Sequence, residues 1–156
     1  MRKRIIAKPL DSPPAEQGWL DLESTALVEV TSEDNAFPIE SALLRSDKGG
    51  WRASERGVQT IRLIFDLPQK LRRISVVFEE TKTERMQEFS LRWSPDRGGS
   101  FREIVRQQWN FSSPDATRET EEYNVDLPNV TLLELIIDPD KGNGKVRASL
   151  VSLRLA

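Results

Sequence analysis

The sequence predicts an all-β fold, a sandwich of about eight antiparallel strands, and three observations carry that expectation. Short segments rich in Val, Ile, Leu, Phe and Trp alternate with polar residues at period two, the mark of a strand buried on one face. These segments recur at regular short spacing, with Pro, Gly, Asp and Asn between them, as in sandwiches and barrels. The 156 residues are enough for one domain with its own core.

Taken in order, residues 1–18 read as an extended N-terminal arm. Pro9, Pro13 and Pro14, among Asp11, Ser12 and Gly18, are incompatible with a helix. Trp19-Leu20-Asp21-Leu22 is positioned to pin this arm to the domain, which spans 19–156. The first strand is Ala26–Thr31. In 58–66, Ile61, Leu63 and Phe65 alternate with Thr60, Arg62 and Ile64, and in 71–78, Ile74, Val76 and Phe78 share a face. In 88–94, Phe89, Leu91 and Trp93 face one way, with Ser90, Arg92 and Ser94 opposite. Segments 101–109, 121–125, 131–137 and 145–155 complete the set. The last one changes phase: Val146, Ala148 and Leu150 share one face, Val151, Leu153 and Leu155 the other. A β-bulge near Leu150-Val151 restores a single inward face; a helix over 146–155 is the competing reading.

Composition narrows the function. Hydrophobic residues make up 37% and charged residues 31%, with a net charge of -2. That balance argues against nucleic-acid binding through a bulk basic field, although 23 Lys and Arg leave room for a local basic patch. With no Cys and no His, disulfides, thiolate metal sites, cysteine nucleophiles and Ser-His-Asp chemistry are excluded. The opening Met1–Pro9 has a basic start but no apolar h-region, and no run is long enough to span a bilayer. The expectation is a cytoplasmic protein without membrane insertion, its oligomeric state open.

In a sandwich, successive loops fall at alternate rims. Asp66–Lys70, Pro95–Gly99 and Asp126–Asn129 are expected as compact turns at one rim. Segment 32–57, Glu79–Arg85, Asn110–Arg118 and Asp138–Gly144 belong to the other; they are longer and richer in polar and aromatic groups. Binding residues sit most often on loops held by a rigid scaffold, which points to the long-loop rim.

Three segments then carry a resemblance. Gly50-Trp51-Arg52-Ala53-Ser54, Ile61–Leu67 and Phe89–Asp96 with Ser100-Phe101 and Ile104-Val105 are similar, in order and distance, to segments of the discoidin domains. These are also known from the C-terminal repeats of coagulation factors, and are galactose-binding-like jelly rolls. The resemblance spans roughly residues 26–155. It implies a jelly-roll sandwich whose loops at one rim take up sugars, phospholipid head groups or partner proteins. It also implies two departures. Family members outside the cell usually carry a disulfide, which this chain cannot form. Many hold a structural calcium, for which Ser32, Glu33, Asp34 and Asn35 are weak candidate ligands, while the closing strand supplies no carboxylate.

The expectation is therefore a non-catalytic binding module, with no cofactor beyond that possible calcium. The polar candidates on the ligand rim are Arg52, Glu79, Glu80, Arg85, Asn110, Arg118 and Asn143, with Trp109 as a stacking platform. Arg85 leads because it closes the charged loop Glu79–Glu84, where a guanidinium can bond two oxygens at once; its plain reading is a surface ion pair. Trp51 and Trp93 are expected in the core, Gly98-Gly99 as a turn, and Glu119–Glu122 as a solvated edge. The leading partner is carbohydrate, and the alternative is an intracellular protein partner. An enzyme needs two converging carboxylates, and Glu79-Glu80, adjacent on a strand end, are expected to point apart.

Overall fold

A computed structural model describes residues 18–44 and 49–156, and in it the alternating segments are strands. They are β1 Ala26–Val30, β2 Trp51–Arg56, β3 Gln59–Glu79, β4 Arg85–Ser94, β5 Arg102–Phe111, β6 Arg118–Asp138, β7 Arg147–Leu150 and β8 Ser152–Leu155. Two single-turn helices accompany them, α1 Leu22–Thr25 and α2 Glu40–Leu43. The predicted arm falls on residues 1–17, outside the described residues, apart from Gly18. Its expected anchor sits on the domain: Leu20 N–H bonds Leu155 O at 2.7 Å, and the Arg73 guanidinium lies 4.3 Å from the centre of the Trp19 ring.

The architecture rests on β3 and β6, two antiparallel strands of 21 residues each that bend together. The first part of β3 pairs with the last part of β6, from Gln59↔Ile137 to Ile64↔Leu132. With β1 on one side and β4 then β5 on the other, these parts form a five-stranded layer. Beyond the bend, Leu71–Glu79 pairs with Arg118–Leu127, and β8 joins β3 to make a three-stranded layer. Trp51, Phe65, Phe78, Phe89 and Phe111 are fully buried in the core between the layers. Each such side chain contributes roughly 1.5–3 kcal/mol by leaving water.

Here two expected turns are corrected. Asp66–Lys70 and Asp126–Asn129 are not compact turns; strand runs through both, with register shifts around Gln69↔Val130. Each contains Asp-Leu-Pro, and Pro68 and Pro128 lack the N–H that a regular ladder needs. The ladder therefore breaks at the same height in both strands, and the pair turns the corner from one layer to the other. The turn Pro95–Gly99 packs on this corner, with Arg97 N–H donating to Thr131 Oγ1 at 2.8 Å.

The predicted irregularity at Leu150-Val151 is a change of partner. β7 pairs with β2, a strand within the 32–57 segment expected as a connection, and β8 pairs with β3. Between them Val151 N–H bonds Val77 O. The phase switch places Ala148 and Leu150, then Leu153 and Leu155, in the core, so the competing helix does not form. Gly50 makes this kink possible: at φ +81°, a Cβ on it would lie 2.2 Å from Leu150 O.

Candidate functional site: a polar pocket at the long-loop rim

The long connections converge on the pole opposite the Asp-Leu-Pro corner. Glu80 N–H bonds Thr117 O at 2.7 Å, and Lys141 N–H bonds Met86 O at 2.7 Å. Asp34 N–H bonds Arg52 O at 2.8 Å. Between them lies a pocket of about 460 Å³, within the usual range for small-molecule sites. Its walls come from Asp34 and Arg52 on one side, Glu79–Thr83 on another, and Lys145–Arg147 with Ser149 on the third.

Strand geometry explains this convergence. Side chains alternate along β2 and β7, and Arg52 pairs with Ser149 across them. Trp51, Ala53, Ala148 and Leu150 point into the core, so Arg52, Arg147 and Ser149 share the outer face, with Lys145 in the turn just ahead. The loop Glu80–Glu84 faces them. Glu79 ends β3 and Glu80 begins the loop, so both line the pocket instead of pointing apart. Each is held by its own arginine: Glu79 Oε2 accepts from Arg118 at 2.8 Å and Glu80 Oε1 from Arg85 at 2.9 Å. Burial alone would raise Glu80, but the Arg85 hydrogen bond and nearby backbone N–H groups outweigh it and hold the carboxyl below its ordinary range.

Arg85, the leading candidate by sequence, lies beneath the rim. It is 4% exposed. Its Nε donates to Glu80 and its Nη1 to Gln87 Oε1 and Pro139 O at 3.0 and 2.7 Å, while the guanidinium stacks 4.6 Å from the Phe111 ring centre. The group that was to bind a ligand instead ties the loop after β3 to the loop after β6. The alternation of β4 accounts for this, since Arg85 and Gln87 continue the inward phase of Phe89, Leu91 and Trp93.

Of the remaining candidates, Arg52, Glu79 and Glu80 line the pocket, and Arg118 reaches it through Glu79. Asn143 braces the turn before Lys145, donating to Asp140 and accepting from Lys145 N–H. Asn110 is exposed on β5 opposite Met86. Trp109 packs against the core, edge-on to Phe111 at 6.5 Å, and does not line the pocket. Trp51 and Trp93 are buried as expected. The reading of Glu119–Glu122 as a solvated edge needs correction at Glu119. It is fully buried, facing Gln87 across the sandwich, and burial followed by the charge of Glu121 pushes its carboxyl up to about 7. Sequence reasoning missed Lys145, Arg147 and Ser149. The signal was present, because they are the polar phase of the segment whose apolar phase was read as core.

Two of the first-loop residues offered as calcium ligands, Ser32 and Asp34, already have hydrogen-bond partners. Calcium takes about 6–8 oxygen ligands, and among the described residues no three acidic side chains come together around one point. Ser32 Oγ donates to Gln59 and accepts from Ser54 and Glu55 N–H, and Asp34 Oδ1 accepts from Ala36 N–H. Ser149 stands on the closing strand, with the cation Arg52 opposite.

No protein-family model matches this sequence, and no curated protein matches it. Solved structures do match the fold. A family 32 carbohydrate-binding module of NanJ from Clostridium perfringens, solved with galactose, superposes with a TM-score of 0.63 at 14% identity, covering 88% of this chain and 96% of that one. A pectin-binding carbohydrate-binding module gives 0.58 at 19% identity over 84% and 89%. Reduced XRCC1, bound to the catalytic domain of DNA polymerase beta, gives 0.59 at 12% identity over 85% and 97%. The chain has the discoidin-like, galactose-binding-like jelly-roll fold, as its three sequence segments imply. No helix among the described residues is long and apolar enough to cross a membrane.

Proposed function

We propose that the protein is a carbohydrate-binding module whose ligand occupies the pocket between the Glu79–Thr83 loop and the outer face of β2 and β7. The observation that carries this reading is the convergence of the long loops into one pocket of about 460 Å³, rich in side chains that donate to and accept from hydroxyls. Saccharide recognition needs such convergent polar groups, and Thr81, Thr83 and Ser149 supply hydroxyls beside the carboxylates and cations. Similar modules solved with galactose or described as pectin-binding support the choice of sugar. The reading assigns no chemical step to the chain: Glu79 and Glu80 are engaged by Arg118 and Arg85 and serve to position.

The test is a glycan array probed with the intact protein, followed by calorimetry on the retained saccharides. Saturable binding is expected, and a Ser149→Trp variant, which fills the pocket from the outer face of β7, is expected to abolish it with unchanged circular dichroism. Retention of no saccharide by the wild type, or binding that survives Ser149→Trp, overturns the reading.

A further inference from the structure

The charge of the pocket selects among saccharides. Its walls carry Arg52, Lys82, Lys145 and Arg147 against Asp34, Glu79 and Glu80. Glu79 and Glu80 are neutralised from behind by Arg118 and Arg85. Lys82, Lys145 and Arg147 are exposed, and none has a carboxylate within 4 Å among the described residues. Glu84 and Asp140 belong to the same rim without lining the pocket, and Asp140 is occupied by Met86 N–H and Asn143. A chain with a net charge of -2 thus concentrates an excess of cations in one concavity.

A second feature points the same way. Neutral sugars are commonly gripped by an aromatic face against their C–H groups, and no aromatic side chain lines this pocket. Phe37 is covered by the guanidinium of Arg52, 4.7 Å from its ring centre, and Trp109 packs against the core. What the pocket offers is a set of charged donors. Arg52 and Arg147 stand on the outer face of the paired strands β2 and β7, and their fork-shaped groups suit carboxylate or sulfate oxygens.

Resting on the carbohydrate reading above, we propose that the ligand is an acidic saccharide, whose carboxylate or sulfate sits against Lys145 and Arg147 while its hydroxyls meet Thr81, Thr83 and Glu79. Calorimetry with oligogalacturonate, with its carboxyl-reduced neutral counterpart and with a sulfated oligosaccharide tests this. At least tenfold tighter binding of one acidic ligand than of the neutral chain is expected, and the two acidic arms distinguish carboxylate from sulfate. Affinity for that ligand is expected to fall several-fold from 50 to 500 mM salt, and at least tenfold in a Lys145→Gln, Arg147→Gln variant whose melting temperature is unchanged. If neutral glycans bind equally well or better, the acidic class is wrong while the carbohydrate reading stands. If no glycan binds, both fall. Equal affinity for inorganic polyphosphate marks a non-selective cationic patch and also overturns the proposal.

Discussion

The turn Ser94–Ser100 at one pole and the loop Glu79–Arg85 at the other are both short, polar and charged, yet they resolve their charges differently. In the first, Asp96 accepts from Ser94 Oγ and from the N–H and Oγ of Ser100, while Ser94 Oγ accepts from Asp96 and Gly98 N–H. Thr131 closes the set, donating to Ser94 O and accepting from Arg97 N–H. In the second, the internal bonds run downward, through Arg85 to Glu80, Gln87 and Pro139, and leave Lys82 and its neighbours facing an open pocket. A loop that satisfies its own polar groups is scaffold. A loop that anchors one layer and leaves another unmatched is equipped to bind.

The contrast breaks most sharply at Arg85. If it is the anchor of the pocket loop, Arg85→Ala removes a buried cation and leaves Glu80 Oε1, Gln87 Oε1 and Pro139 O without their donor. Removing one member of a buried pair costs about 3–5 kcal/mol, and about 3 kcal/mol is expected here because Glu80 is part-exposed. Denaturant unfolding measures it. A loss of saccharide binding with stability intact returns Arg85 to the role of ligand contact that its sequence position suggested.

How much was legible follows from the same residues. Phe89, Leu91 and Trp93 announced the inward face of β4 because apolar residues at period two have one common explanation. Extending that phase backwards places Gln87 and Arg85 inside as well, but a charged residue next to a charged loop reads as surface, and burial depends on partners such as Pro139 O that lie 54 residues away. The Asp-Leu-Pro pairs misled for a different reason: the chemistry that ends a strand also bends one, and only pairing with a second bent strand distinguishes the two. β2 was hidden because its inward residues beyond Trp51 reduce to Ala53, too small to show a period. The pole that carries the pocket was still legible, since loop length and polarity survive these errors.

Glu119 sharpens the comparison by a smaller step, as it lies under the pocket pole and beside Arg85's partner Gln87. Its carboxyl titrates near 7 when folded, against an ordinary 4.5. Between those values the folded protein keeps a proton that the unfolded chain releases, so this group's contribution to stability falls as pH rises through the window. At 1.36 kcal/mol per pH unit, the loss by pH 8 is about 3 kcal/mol. Glu119→Gln, which mimics the protonated form, is expected to be more stable than wild type by roughly that amount at pH 8 and near wild type at pH 4.5. Comparing the two proteins by urea unfolding at both values cancels the same-direction contribution of Asp138. Equal stability at pH 8 means that Glu119 is not the titrating group.

The smallest effect belongs to the closed pole. Thr131 is buried, and its hydroxyl links the turn Ser94–Gly99 to the corner of β6. Thr131→Val keeps the shape, removes the hydroxyl and leaves Ser94 O and Arg97 N–H to find other partners. An unmade buried hydrogen bond costs about 1–3 kcal/mol, and the lower end is expected because Arg97 is exposed and its N–H can reach water. Since the corner is scaffold for the far end of the strands, saccharide affinity is expected to stay within twofold of wild type. A variant that keeps its melting temperature but loses binding would place the ligand at the Asp-Leu-Pro corner and reverse the assignment of the two poles.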